Sequence, residues 1–234
     1  MIKLVIFDLD GVITSTTDEH FAAWDHLFKK YFRINLDPAL EAKTKGVSRI
    51  ESLEVLLDHY NLVITESQKL DFAEEKNLVY QEMIAQFDEM KLMEGVIPLL
   101  NFLKHLGVKI ALGSASKNGP FLLECLGVVD YFDYVVNPSK LKSKPEPDIF
   151  LDAMNNFKLK PNECIGVEDA VAGVEAINRA GMIAIGIGSE PLHKADIWIN
   201  KLSELDFELF EKLIHISNQA EIISGLSTKI PYSL

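Results

Sequence analysis

Leu4-Val5-Ile6-Phe7 is an unbroken apolar run, and Asp8, Leu9, Asp10 and Gly11 follow it directly. No other stretch restricts the fold as much. A short continuous apolar run reads as a strand buried on both faces, as parallel sheets hold them. The carboxylates then fall at the C-terminal end of that strand, the edge where open α/β sheets bind ligands. Residues two apart on an extended chain point the same way, so Asp8 and Asp10 can serve one reacting centre. Two acids this close repel unless a cation or a shared proton lies between them. That predicts a metal, an acid/base division of labour, or both. The plainer alternative is that Asp often closes strands and starts turns. Gly11 suits a sharp turn under either reading.

The remaining pattern alternates. Residues 2–7, 108–113, 133–136, 163–167 and 182–187 are short apolar runs bounded by Gly, Asp, Asn or Ser. Helical patterns lie between the later ones, at about 95–106, 118–126, 147–157 and 169–180. Gly107 and Gly127 stand where a left-handed residue ends a helix, and Pro147 suits a first helical turn. Repeated strand–helix units predict an α/β fold with a Rossmann-like, doubly wound parallel sheet. Residues 16–90 differ, with amphipathic stretches at 17–32, 49–60 and 65–88 and no clear strand among them. The expected organisation is therefore a core of 1–15 and 91–234 with an all-helical cap, 16–90, inserted on two hinges near 13–16 and 87–94. The tail after about 216 is weakly patterned and receives no role.

With 234 residues and 48% hydrophobic content, the chain can bury a full core. No apolar run is long enough to cross a bilayer, and with a strand at the very start no cleavable signal is expected. Cys125 and Cys164 are isolated and read as reduced core thiols, so a cytoplasmic enzyme is expected. A net charge of −12 argues against nucleic acid or an anionic membrane as partner. A phosphorylated ligand stays compatible if positive charge is gathered locally. A monomer is expected, because no long heptad or exposed edge run suggests a partner.

Three further clusters fall where strand ends should lie. Ser114-Ala115-Ser116-Lys117-Asn118 follows the run at 108–113 and enters a helix. A hydroxyl with free N–H groups at a helix N-terminus makes an anion site; a simple N-cap by Ser116 or Asn118 is the plainer alternative. Lys144, beside Pro145 and Pro147, is poorly placed to be a solvated surface charge. It could neutralise a phosphate or a carboxylate nucleophile. Glu168-Asp169 precedes a helix, where acids ordinarily partner the dipole. At the same edge as Asp8 and Asp10, the pair could instead complete an oxygen-only site suited to Mg²⁺. The ordered set is what phosphoryl transfer requires.

From residue 2 to about 215, this set resembles the haloacid dehalogenase superfamily, and in particular its phosphotransferase branch. Within it the likeness is closest to the β-phosphoglucomutase family. It rests on Asp8-Leu9-Asp10-Gly11-Val12-Ile13-Thr14, Thr16, His20, Trp24, Lys45-Gly46-Val47-Ser48-Arg49, Ser52, Lys76 and 114–121. The resemblance implies that Asp8 accepts the phosphoryl group and Asp10 is the general acid/base. Asp8, the Asp10 carbonyl, Glu168 and Asp169 would hold Mg²⁺, while Ser114 and Lys144 would bind the transferring phosphate. The implied substrates are β-glucose 1-phosphate and glucose 6-phosphate, interconverted through β-glucose 1,6-bisphosphate. Ser15 stands where these mutases have an acidic residue, and the loop before Lys144 is one residue shorter than their pattern.

A phosphatase uses the same core, with water as acceptor, so the core motifs leave both readings open. A mutase needs a second anion site. Arg33 and Arg179 end helical patterns, where the dipole explains them. Arg49 is near a helix start, where helix polarity gives it no reason; bidentate binding of phosphate gives one, and a plain surface arginine is the alternative. By the resemblance, Ser116, Lys117 and Asn118 complete that second site, with Ala115 in the same run. Lys45, Gly46, Val47, Ser52 and Lys76 then contact the sugar or phosphate. His20 and Thr16 share a helix face. From the residues alone His20 reads as a surface histidine of an amphipathic helix, whereas the resemblance implies that the two align Asp10. Trp24, four further on, is either packing or a wall of the site. A non-catalytic binding protein on this scaffold would be expected to lack an acid at position 8 or 10, and both acids are present.

Overall fold

The computed structural model of the protein describes residues 1–44, 48–189, 192–215 and Ile223. In chain order the elements are β1 (Leu4–Phe7), α1 (Thr17–Phe32), α2 (Glu41–Thr44), α3 (Arg49–His59), α4 (Glu66–Ile84), α5 (Val96–His105), β2 (Lys109–Leu112), α6 (Gly119–Cys125), β3 (Tyr134–Val135), α7 (Asp148–Asn156), β4 (Cys164–Glu168), α8 (Val171–Arg179), β5 (Ile183–Ile187), β6 (Ile197–Ile199) and α9 (Phe207–His215). They divide into two compact units, Met1–Ser15 with Asp88–Leu234, and Thr16–Phe87.

In the first unit, six parallel strands form one sheet in the order β3-β2-β1-β4-β5-β6. The chain winds outward from β1 through β2 and β3, then returns to the other side of β1 for β4. This reversal beside β1 is the switch point at which such sheets open a crevice. The doubly wound parallel sheet read from the sequence is thus present. All of β1 is buried. Leu4 and Ile6 pack in one cluster with Ile149, Phe150 and Ala153 of α7 and Val174 and Ile177 of α8. Val5 and Phe7 point the opposite way by strand alternation and are equally buried. The helix α5 contacts β2, and its Phe102 stacks on Phe207 of α9 with ring centroids 4.7 Å apart.

One strand was not anticipated. Ile197-Trp198-Ile199 pairs with β5 as the edge strand β6, and its three residues are too short to carry a periodic signal. Gly107 and Gly127 take left-handed φ values of 70° and 69°, as their positions required. Pro147 stands one residue before α7 instead of within its first turn. The Lys144–Pro145 peptide bond is cis. Cys125 and Cys164 are both free thiols. No helix among the described residues is long and apolar enough to cross a membrane. The tail from 216 lies outside the described residues except for Ile223.

The second unit holds helices and no named strand among its described residues. Trp24, Leu27 and Phe28 of α1 meet Leu53, Leu56 and Leu57 of α3, each set at helical spacing. Two reciprocal capping boxes start two of its helices: Ser48 with Glu51 for α3, and Thr65 with Gln68 for α4. Along α4 the buried positions are Ala73, Lys76, Tyr80 and Ile84. A lysine in a buried stripe is uncommon and requires partners.

In the first unit, Leu100 on α5 is fully buried. Leu100→Ala is expected to cost about 2–5 kcal/mol, read as a lower midpoint in urea with an unchanged slope.

Candidate active site

Strand register assembles the sheet edge. Phe7 pairs with Leu112 on one side and Val167 on the other, so Asp8 emerges beside Gly113 and Glu168. The Asp8 N–H donates to the Val167 carbonyl at 2.9 Å, and the Gly113 N–H to the Phe7 carbonyl at 2.8 Å. Ser114 is the next residue and is buried. Its hydroxyl oxygen accepts from the Ser116 N–H at 3.1 Å, and the Ser116 oxygen accepts from the Asn118 N–H at 3.2 Å. Asn118 sits at the N-cap of α6, but its side chain makes no capping bond. Ala115 and Lys117 are exposed, and Asn118 is buried.

Lys144 reaches this edge from the loop before α7. Its ammonium hydrogen-bonds the carboxylates of Asp8 and Glu168 together, and lies 5.3 Å from the centre of the Phe150 ring. Burial alone would lower the Lys144 pKa, but Asp8 and Glu168 outweigh it and hold the group above its ordinary value. Burial pushes the Glu168 carboxyl up to about 7; Lys144 opposes that shift, and Asp8 adds to it. One ammonium therefore does not neutralise this corner.

Oxygen atoms of Asp8, Glu168 and Asp169 lie within 4.8 Å of one another. Two glycines make room for them. A Cβ at Gly11, whose φ is 80°, would fall 2.0 Å from an Asp169 oxygen, so this carboxylate rests on the turn that follows Asp10. A Cβ at Gly173 in α8 would fall 1.9 Å from a Glu168 oxygen. The other Glu168 oxygen accepts the Ala170 N–H at 3.0 Å. Three clustered oxygen donors, one of them buried with a raised pKa, fit a hard divalent cation better than a soft one.

The helical unit holds a second group. Lys76, 2% exposed, hydrogen-bonds Nδ1 of His20. Its ammonium also lies 4.9 Å from the centre of the Tyr80 ring and 5.5 Å from that of Trp24. Trp24 therefore both packs in the core and contacts this group. Burial, then Lys76, then Arg49 hold His20 down to about 3. The half-buried Arg49 guanidinium donates to the Asn77 side-chain oxygen at 2.7 Å and the Ala73 carbonyl at 3.3 Å. Burial lowers its pKa, and no carboxylate pairs with it among the described residues. The Ser52 hydroxyl donates to the Thr44 carbonyl at 3.3 Å. Lys45, Gly46 and Val47 lie outside the described residues.

Sequence reasoning missed Tyr80, whose hydroxyl donates to Thr16 Oγ1 at 3.1 Å. It also missed Gly173. Tyr80 could have been found, because it lies four residues after Lys76 on one helix face.

The chain belongs to the haloacid dehalogenase-like hydrolase family, whose model matches residues 2–181. It is 40% identical over 214 residues to a β-phosphoglucomutase of Bacillus subtilis, covering 90% of this chain and 94% of that one. A crystal structure of β-phosphoglucomutase from Clostridium difficile superposes with a TM-score of 0.82 at 39% identity, covering 91% of this chain and 96% of the other. A phosphorylated carbohydrates phosphatase of Thermotoga maritima is 30% identical over 184 residues, covering 77% and 82%.

Folding keeps a proton on Glu168 that the unfolded chain loses near its ordinary value of about 4.5, so this group's contribution to metal-free stability falls as pH rises from about 4.5 to 7. A divalent cation needs the ionised form and should bind more tightly over the same window. Mg²⁺ at about 100 times its Kd should raise Tm by roughly 5–10 °C at pH 8, and by less at pH 5.5. Gly173→Ala should lose most of that gain in the same thermal scan.

Proposed function

We propose that the protein is a Mg²⁺-dependent β-phosphoglucomutase. It interconverts β-D-glucose 1-phosphate and glucose 6-phosphate through an aspartyl phosphate and β-glucose 1,6-bisphosphate. One observation carries the chemistry: a buried sheet edge where Asp8 meets one ammonium and two further carboxylates. Similarity over nine-tenths of the chain to a β-phosphoglucomutase favours the mutase over the phosphatase. The half-buried guanidinium of Arg49, without a carboxylate partner among the described residues, supports the same choice.

Asp8 is the nucleophile: one carboxylate oxygen forms the bond to phosphorus as the bond to the sugar oxygen breaks. Lys144, with the Ser114 hydroxyl, offsets charge on the transferring oxygens. Asp8, the Asp10 carbonyl, Glu168 and Asp169 would hold Mg²⁺, which would supply positive charge at the phosphoryl group. Asp10 takes the proton from the attacking sugar hydroxyl and returns one to the leaving oxygen. Phosphoryl passes from Asp8 to the 6-hydroxyl of β-glucose 1-phosphate. The 1-phosphoryl group of the resulting bisphosphate then returns to Asp8, releasing glucose 6-phosphate.

Arg49, Ser116, Lys117 and Asn118 bind the second phosphate. Lys45, Gly46, Val47, Ser52, Lys76 and Ala115 meet the sugar or its phosphates, and Trp24 borders them. Thr16 and His20 align Asp10. Water must be kept from the aspartyl phosphate, which otherwise hydrolyses.

With β-glucose 1-phosphate, Mg²⁺ and a trace of bisphosphate, the expected product is glucose 6-phosphate, read by a coupled dehydrogenase assay. Stoichiometric free phosphate without glucose 6-phosphate would overturn the mutase and leave the phosphatase. Arg49→Ala should lower mutase kcat/KM by roughly 10- to 100-fold, the worth of one charged hydrogen-bonding contact; a phosphatase would hardly change.

A further inference from the structure

We propose that Tyr80 is a positioning residue for this reaction: it holds His20 in one ring plane and one tautomer, and it sets the direction of the Thr16 hydroxyl. The inference rests on the reading above that His20 and Thr16 align the general acid/base.

Three contacts meet at Tyr80, all within the helical unit. Its ring stacks on His20 with centroids 4.0 Å apart and planes 6° from parallel. A near-parallel ring at that distance blocks rotation of the imidazole about its bond to Cβ. Lys76, four residues earlier on the same buried face of α4, hydrogen-bonds His20 Nδ1. An ammonium can only donate, so Nδ1 accepts, and the proton of the neutral ring is on Nε2. The stacked phenol and the lysine together fix which edge of His20 presents a donor. Lys76 is held in turn by the face of the same Tyr80 ring.

The third contact is the hydroxyl. Tyr80, 1% exposed, donates to Thr16 Oγ1. With its oxygen accepting, Thr16 must direct its own proton to a different acceptor. Thr16 and His20 are already joined, the His20 N–H donating to the Thr16 carbonyl at 2.9 Å. A side chain present only to fill space would need no hydroxyl, and a buried hydroxyl is costly unless bonded.

The test uses the full chain with Tyr80→Phe and Tyr80→Leu, ¹⁵N NMR of His20, and steady-state kinetics on β-glucose 1-phosphate. In the wild-type protein, His20 should show the neutral Nε2–H pattern from pH 5 to 8. Tyr80→Phe keeps the stack, so that pattern should persist, while kcat falls about 10-fold and KM stays within about twofold, as for one lost hydrogen bond felt in the transition state. Tyr80→Leu removes the stack and frees the ring to turn, so both neutral tautomers should appear in the His20 spectrum, while kcat falls further. Unchanged His20 spectra and unchanged kcat in both variants, with mutase activity intact, would show Tyr80 to be packing and overturn the inference. Absent mutase activity together with both His20 tautomers in Tyr80→Leu would instead overturn the proposed function and leave the ring locking in place.

Discussion

The ammonium of Lys144, shared between Asp8 and Glu168, is the contact on which the C-terminal edge of the sheet depends. Removing a buried charge's partner costs several kcal/mol, far more than the intact pair contributes. The lysine is 136 residues from Asp8 in sequence, so the whole α/β winding is needed to bring the two together. Parallel register does the rest, setting Asp8 beside Glu168 on the neighbouring strand with the main chain buried on both sides. Three carboxylates then share a corner with one ammonium, an excess of negative charge that could accept a cation.

The helical unit gathers charge of the opposite sign. Arg49 and Lys76 flank His20, which their charges and burial keep neutral. This is local positive character in a chain of net charge −12. Under the proposed function, a sugar phosphate would be recognised by these few local cations and not by the general field of the protein.

Much of this was legible in the amino-acid order, and the exceptions have physical reasons. The run into Asp8 and Asp10 announced a buried strand with acids at its end because the pattern is local. Gly107 and Gly127 were readable because only a left-handed turn explains them. The edge strand β6 was not, since Ile197-Trp198-Ile199 has no room for alternation and Trp198 is only half-buried. Lys144 could be singled out by its neighbouring prolines, but its two partners lie on distant strands. Tyr80 escaped because an aromatic on an amphipathic helix looks like core, and its hydroxyl bond crosses 64 positions. Gly173 looked like a weak residue in a helix until the Glu168 carboxylate was seen in the space it leaves.

That glycine exposes a conflict between durability and purpose. A glycine inside a helix is worse than alanine by about 1 kcal/mol, and the acid it accommodates is itself costly to bury. Alanine at position 173 would strengthen the helix taken alone, but its Cβ would fall on the Glu168 carboxylate, which Lys144 and the Ala170 N–H hold in place. The helix therefore keeps its weaker residue so that the acid can keep its seat.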